Sequence, residues 1–302
     1  SKILIYPADV VATVLEGHEL DVNARIDSID FKKIMDRMHE YVTEDVDRQA
    51  KAVEATPNLT WFKGLGEFVS DYTMKVGDRL IRADRIFIAS GARPSVPPVK
   101  GIDKVDYLTS DTVLDLESPP KSMLIVGGGY IAAEYGHFFS SVGTKVTIIQ
   151  RPPRLLPDEE PEISALLKEE MEKRMNIFTN HEVVEVREEN EVKTVKARSR
   201  SDGGLKEFSA DALLVAAGRV PNSDLLKPQK TGVELDERGY VKVNEFLETG
   251  KRNIWAFGDA IGKQMFKHVA NYESEIVWHN ASHDHKTPMD YSVAPHAVFT
   301  HP

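Results

Sequence analysis

Met123-Leu124-Ile125-Val126-Gly127-Gly128-Gly129-Tyr130-Ile131-Ala132-Ala133-Glu134 decides the fold, together with Gly143-Thr144 and Lys145-Val146-Thr147-Ile148-Ile149 behind it. Residues 123–126 form a short apolar run of the kind buried inside a parallel sheet. The glycines then open a helix that runs to about Ser141, and Gly143-Thr144 turns the chain into a second strand. Between two strands, the pattern G-x-G-x-x-A is a dinucleotide fingerprint. Gly127 permits the tight turn, Gly129 lets the backbone approach a pyrophosphate, and Ala132 lets the helix pack close to the strand. The free N–H groups and positive end of that helix hold the phosphates. The fold class that follows is α/β.

The rest of the chain agrees with a nucleotide-binding enzyme. At 302 residues it can bury a sizeable core and holds more than one domain. Hydrophobic residues at 41% and charged residues at 28% are ordinary for a globular protein. The net charge of −10 argues against a nucleic acid or an anionic membrane as partner, because both demand a basic face. No apolar run approaches bilayer length and no secretory signal opens the chain, which points to the cytoplasm. There is no cysteine.

Apolar periodicity predicts a helix over residues 1–17 and another from Asp30 to Val53. The second is capped near Ser28, with Phe31, Ile34, Met35, Met38, Tyr41 and Val42 as its stripe. Trp61 to Ser90 alternates like a strand meander turning at Gly64, Gly66, Asp71 and Gly77-Asp78. A proline-punctuated linker leads to the fingerprint. After it come a helix from Glu160 to Arg174, strands near Ile177 to Val186, Glu191 to Ala197 and Ala212 to Ala216, and a long helix from about Lys267.

Five motifs in order carry a resemblance. They are Ser1-Lys2, Ile88-Ala89-Ser90-Gly91-Ala92-Arg93-Pro94, Val215-Ala216-Ala217-Gly218-Arg219-Val220-Pro221-Asn222, Trp255-Ala256-Phe257-Gly258-Asp259 and Lys267-His268-Val269-Ala270-Asn271. With the fingerprint, they make the chain similar to the flavin-dependent pyridine nucleotide–disulfide oxidoreductases, the family of dihydrolipoamide dehydrogenase, mycothione reductase and mercuric reductase. The resemblance implies two Rossmann-like lobes, an NAD(P)-binding lobe (119–245) inserted into an FAD-binding lobe made from both flanks (1–118 and 246–302). It implies FAD and NADP or NAD as cofactors.

The resemblance also assigns roles. Tyr130 is the ring that covers the flavin and swings aside for nicotinamide. Glu134 and Lys2 form an ion pair beside the flavin N5, where a fixed cation stabilises negative charge on the reduced ring. Asp259, after Gly258, accepts a hydrogen bond from a ribityl hydroxyl, and Ala270 runs beside the isoalloxazine. Ser90, Gly91 and Gly66 lie near the flavin's dinucleotide tail, and Gly218 belongs to the second glycine crossover.

Nicotinamide choice is read at the end of the second fingerprint strand, where NAD enzymes place an acid for the ribose 2′-hydroxyl. Here the strand ends at Gln150, followed by Arg151 and Arg154. Guanidinium groups clamp a 2′-phosphate that a carboxylate would repel, so the residues favour NADP over NAD. His279, His283 and His285 have ligand-like spacing, but no matching cysteine or carboxylate pattern accompanies them, and no metal site is expected.

Relatives carry an N-terminal FAD pyrophosphate unit and two redox cysteines before the position of Ser1. They also continue past a motif like Val298-Phe299-Thr300-His301-Pro302 into a dimer-interface domain. The chain is therefore expected to be the central part of such an enzyme, inactive by itself in disulfide reduction and weak in flavin retention. The parent would be a homodimer acting on a small-molecule or lipoyl-type disulfide, dihydrolipoamide dehydrogenase-like. A mercuric reductase or soluble transhydrogenase type of flavoenzyme and a non-catalytic nucleotide-binding module are the alternatives.

Overall fold

The structure is a computed structural model and describes residues 2–301; Ser1 and Pro302, each named in a motif above, lie outside the described residues. The chain opens with α1 (Lys2–Glu16) and α2 (Phe31–Ala55), then β1 (Gly66–Ser70), β2 (Thr73–Val76), β3 (Arg79–Arg82), β4 (Ile86–Ile88) and β5 (Ala92–Pro94). The fingerprint is β6 (Ser122–Val126), α3 (Tyr130–Ser141) and β7 (Lys145–Ile149). There follow α4 (Pro161–Glu172), β8 (Asn176–Phe178), β9 (His181–Glu189), β10 (Val192–Ser199), β11 (Leu205–Ala210) and β12 (Ala212–Val215). Next come β13 (Arg219–Pro221), α5 (Ser223–Leu226), β14 (Ile254–Ala256) and α6 (Lys267–Ser282).

Two compact units result. The first comprises the chain up to Lys51, Pro94–Gly218 and the segment from Val298 onward; the second comprises Ala52–Arg93 and Arg219–Ala297. These bounds differ from the functional lobes expected above, which divide the chain by ligand rather than by proximity.

In the first unit β12, β6, β7 and β8 form a parallel sheet in that order. All four apolar residues of β6 are buried, but alternate ones feed different cores, as the two-residue period of a strand requires. Met123 and Ile125 join the cluster with Leu4 of α1, Phe31 and Met35 of α2, and Phe138 of α3. Leu124 and Val126 join Val186 and Val195 of the antiparallel sheet β11-β10-β9. Burying each such side chain contributes roughly 1.5–3 kcal/mol, which is why these positions take no polar residue. In the second unit β1, β2 and β3 form the meander. There β4 pairs in parallel with β14, and Phe68, Ile88, Ile254, Val269 and Val277 make the core.

The predicted helices and the meander are present, with five differences. Gly66, expected as a turn of the meander, is instead the first residue of β1, paired with Val76. Asp30, not Ser28, caps α2, its Oδ1 accepting the Lys33 N–H at 3.0 Å. The apolar stripe of α2 is buried only as far as Met38; Tyr41 and Val42 are exposed because the helix outruns the core beneath it. The strand expected over 177–186 is broken at Asn180, whose φ of +58° turns the chain from the parallel sheet into the antiparallel one. The sequence pattern also missed β11, whose residues Leu205–Ser209 are mostly solvent-facing and carry no apolar alternation. Among the described residues no helix is long and apolar enough to cross a membrane.

Candidate nucleotide site

The fingerprint turn is set by sterics. Gly127 has φ +121°, and a Cβ there would fall 2.1 Å from the Ala216 carbonyl oxygen, so only glycine fits. Its N–H donates to Ile149 O at 2.9 Å, tying the turn to the end of β7. Gly128, which the motif does not specify, is constrained by side chains alone: a Cβ would meet those of Gln150 and Leu155 at 2.8 Å. Gly129 is different. It stands at the N-cap of α3 with no side-chain cap, and a Cβ there meets nothing within 4 Å. The space beside Gly129, at the start of α3, is therefore open where a side chain would fill it, and the helix dipole adds partial positive charge there. Ala132 is fully buried against the sheet. These features fit a dinucleotide pyrophosphate.

Two of the three catalytic candidates, Tyr130 and Glu134, lie on the same helix, and the third, Lys2, opens α1. Glu134, only 4% exposed, forms an ion pair with Lys2 of α1. Lys2 Nζ also lies 3.9 Å from the centroid of the Phe299 ring, a cation–π contact. The Tyr130 hydroxyl donates to Glu159, and burial together with that carboxylate pushes the phenol pKa well above its ordinary value.

Arg151 and Arg154 sit on the loop after β7. Arg151 is exposed, whereas Arg154 is partly buried and donates to Pro157 O at 3.0 Å. Gln150 is buried, and its amide donates to Arg154 O at 3.2 Å. Gln150 is thus a brace for the arginine loop, a role that sequence reasoning missed. Gly218 has φ +114°, and its carbonyl accepts the Ser95 N–H at 2.9 Å.

In the second unit the two glycine crossovers meet. Asn222 donates from its side chain to Ser90 O at 2.8 Å and from its backbone to Gly91 O at 3.2 Å. Arg93 makes a paired contact with both oxygens of Asp224, at 2.7 and 2.9 Å. Gly66 lies in β1, where its Cβ position is 3.0 Å from Met74 Cε. Gly258 has φ +67°, and its Cβ position lies 3.4 Å from Ala270 Cβ, so this turn and α6 approach closely. Asp259 Oδ2 lies 3.4 Å from Arg219 Nε, a nitrogen that is buried without a well-formed hydrogen bond. A polyol hydroxyl would satisfy both groups, so the pair fits a ribityl chain.

A further buried carboxylate went unrecognised in the sequence. Glu273 of α6 is fully buried, accepting the Gly258 N–H at 2.5 Å and the Tyr291 hydroxyl at 2.6 Å. Only its distant partners reveal it, since α6 has no distinctive pattern there. The rings of His279 and His283 stack with centroids 4.6 Å apart. Among the described residues no group of three or more His, Asp or Glu side chains is placed to hold a metal ion.

Residues 10–283 match the family described as pyridine nucleotide-disulphide oxidoreductase. The chain is 31% identical over its whole length to a mercuric reductase of Lysinibacillus sphaericus, covering 55% of that protein. It is 32% identical over its whole length to the mycothione reductase of Mycobacterium tuberculosis, covering 67% of it. The flavoprotein disulfide reductase RclA of Escherichia coli, solved as a Cu(II) complex, superposes with a TM-score of 0.85 at 27% identity, over 99% of this chain and 64% of that one. The chain thus spans about half the length of the mercuric reductases it matches.

Proposed function

Since the chain belongs to the pyridine nucleotide–disulphide oxidoreductase family, whose members use FAD and NAD(P)H, we propose that it forms the nucleotide-binding core of a flavin-dependent NAD(P)H:disulfide oxidoreductase. In this reading residues 119–245 bind the nicotinamide nucleotide, and the flanks 1–118 and 246–302 bind FAD. The parallel pairing of β4 with β14 supports that division, because it joins the two flanks across the intervening sheet sequence. When bound, nicotinamide and flavin supply the hydride donor and acceptor, and a dithiol outside this chain takes the electrons onward.

The chain's own residues bind and orient. The first turn of α3 holds the pyrophosphate, with Gly129 leaving room for it. Arg151 and Arg154 provide positive charge for a 2′-phosphate. Tyr130 shields the reacting face until nicotinamide arrives. Lys2, held by Glu134, presents a fixed cation whose field favours a reduced, negatively charged ring. Asp259, paired with Arg219, accepts a hydrogen bond from a ribityl hydroxyl. The observation that carries this reading is the Lys2–Glu134 pair, because it anchors a cation through a buried carboxylate on the very helix that the fingerprint opens.

The acceptor is a disulfide of small-molecule or lipoyl type, and the parent a homodimer in the cytoplasm. The 31% identity with a mercuric reductase over the whole chain favours, as second reading, a metal-ion acceptor served by the same hydride step. Titration of the chain with NADPH and NADH, followed by nicotinamide fluorescence, tests the core claim. Tighter binding of NADPH is expected, and absence of binding by either nucleotide would overturn the proposal.

A further inference from the structure

The loop from Gln150 to Glu160 is fastened onto the fingerprint rather than lying free. Leu156 N–H donates to Gly128 O at 2.8 Å, and Leu155, fully buried, occupies the place a Gly128 side chain would need. Ser164 Oγ donates to Leu156 O at 3.1 Å, and the Glu159 N–H donates to the same oxygen at 3.0 Å. Glu159 therefore reaches the fingerprint on a braced backbone, and its carboxylate accepts the Tyr130 hydroxyl. A phenol donating to an ionised carboxylate makes a charge-assisted bond, stronger than a neutral one. The same loop carries Arg151 and Arg154.

We propose that Glu159 is a positioning residue for Tyr130, a latch that holds the ring in its closed orientation and that nicotinamide must break in order to enter. The inference rests on the nucleotide reading given above. The latch acts on one half of the ligand only. The pyrophosphate and the adenosine 2′-phosphate meet the α3 N-terminus and the arginines whatever the state of Tyr130, whereas the nicotinamide ring requires the phenol to move. Glu159 thus governs the rate of nicotinamide admission without setting the affinity of the adenosine half. It also places the gate and the 2′-phosphate recognition on a single braced loop.

Stopped-flow association of NADPH with the full chain, compared with binding of adenosine 2′,5′-bisphosphate, tests this. Tyr130→Phe, which removes the bond, is expected to raise the NADPH association rate by about tenfold or more, and Glu159→Gln, which leaves a neutral acceptor, is expected to raise it by less. The double variant should match Tyr130→Phe, since without the phenol O–H the residue at 159 has nothing to accept, and the bisphosphate should bind all four proteins alike. Unchanged NADPH rates in Glu159→Gln, or equal shifts for NADPH and the bisphosphate, would overturn the latch while leaving the nucleotide site standing. Failure of the unsubstituted chain to bind NADPH at all would remove the site and the latch together.

Discussion

The Lys2 ammonium and the Glu134 carboxylate form an ion pair across 132 positions of sequence, joining the first turn of α1 to the middle of the fingerprint helix. Glu134 is almost wholly buried while the Lys2 side chain remains half in solvent. A buried carboxylate is tolerated only with a counter-charge or hydrogen bonds, so α1 is held to α3 by electrostatic need as well as by packing. The segment from Val298 contributes: His301 O accepts from Arg174 at 2.7 Å, His301 Nε2 lies 2.8 Å from Glu16, and Phe299 covers the ammonium.

Lys2→Met should destabilise the chain by about 1–2 kcal/mol. That is less than the cost of breaking a fully buried pair, because water already screens the lysine end. Adding Glu134→Gln should recover much of the loss, since the buried charge is then gone. Urea unfolding of the two single variants and the double one decides the point; strictly additive losses would contradict the pairing.

Gly127→Ala and Gly129→Val should separate folding from binding. The first forces a side chain into a φ of +121° and onto the Ala216 oxygen, so a loss of about 3 kcal/mol or more in unfolding free energy is expected. In the second an added Cβ meets nothing within 4 Å, so stability should fall by no more than about 1–2 kcal/mol, the cost of a poorer N-cap residue. NADPH affinity should nevertheless fall at least about tenfold, because the new side chain occupies the space in front of the helix. Thermal melts and fluorescence titration on the same samples read both quantities.

Arg151→Glu should reverse nucleotide preference. Arg151 is the cleaner probe because Arg154 also braces the loop through Pro157. A carboxylate there repels the 2′-phosphate and accepts from a ribose hydroxyl. The ratio of NADPH to NADH affinity should fall by at least about tenfold, and retained NADPH selectivity in paired titrations would count against the arginine argument.

Glu273 should make stability fall as pH rises. Burial raises its pKa above the ordinary 4.5, with the Tyr291 and Gly258 hydrogen bonds opposing. Between the unfolded value and the raised folded one, the native state holds more protons than the unfolded state, so rising pH favours unfolding. The stabilisation is complete below about 4.5 and is lost as pH rises through the folded pKa. Glu273→Gln should flatten that part of the profile in denaturant titrations at several pH values, and an unchanged slope would show that another group is responsible.

What can be read from the residues alone is what depends on neighbours in sequence. The strand–glycine–helix of 123–141 is legible because apolar period, glycine sterics and helix polarity are local properties. So are α4, the start of α6 and the need for glycine at position 127. The positions that escape are those whose meaning depends on distant chain. Gln150 reads as the residue at the ribose position, yet its side chain packs against Gly128 and bonds to Arg154. Glu159 reads as a helix-terminal acid, though its partner is Tyr130. Glu273 shares α6 with one other glutamate, Glu275, and nothing local distinguishes it, yet it is fully buried. Period alone also overextends the buried stripe of α2, where Tyr41 and Val42 emerge beyond the core. Local sterics and period thus determined which elements form and where a phosphate can be held. Only the tertiary structure decided which charges are buried and what they touch, because burial is conferred by segments that return from far along the chain and leave no trace in the local pattern.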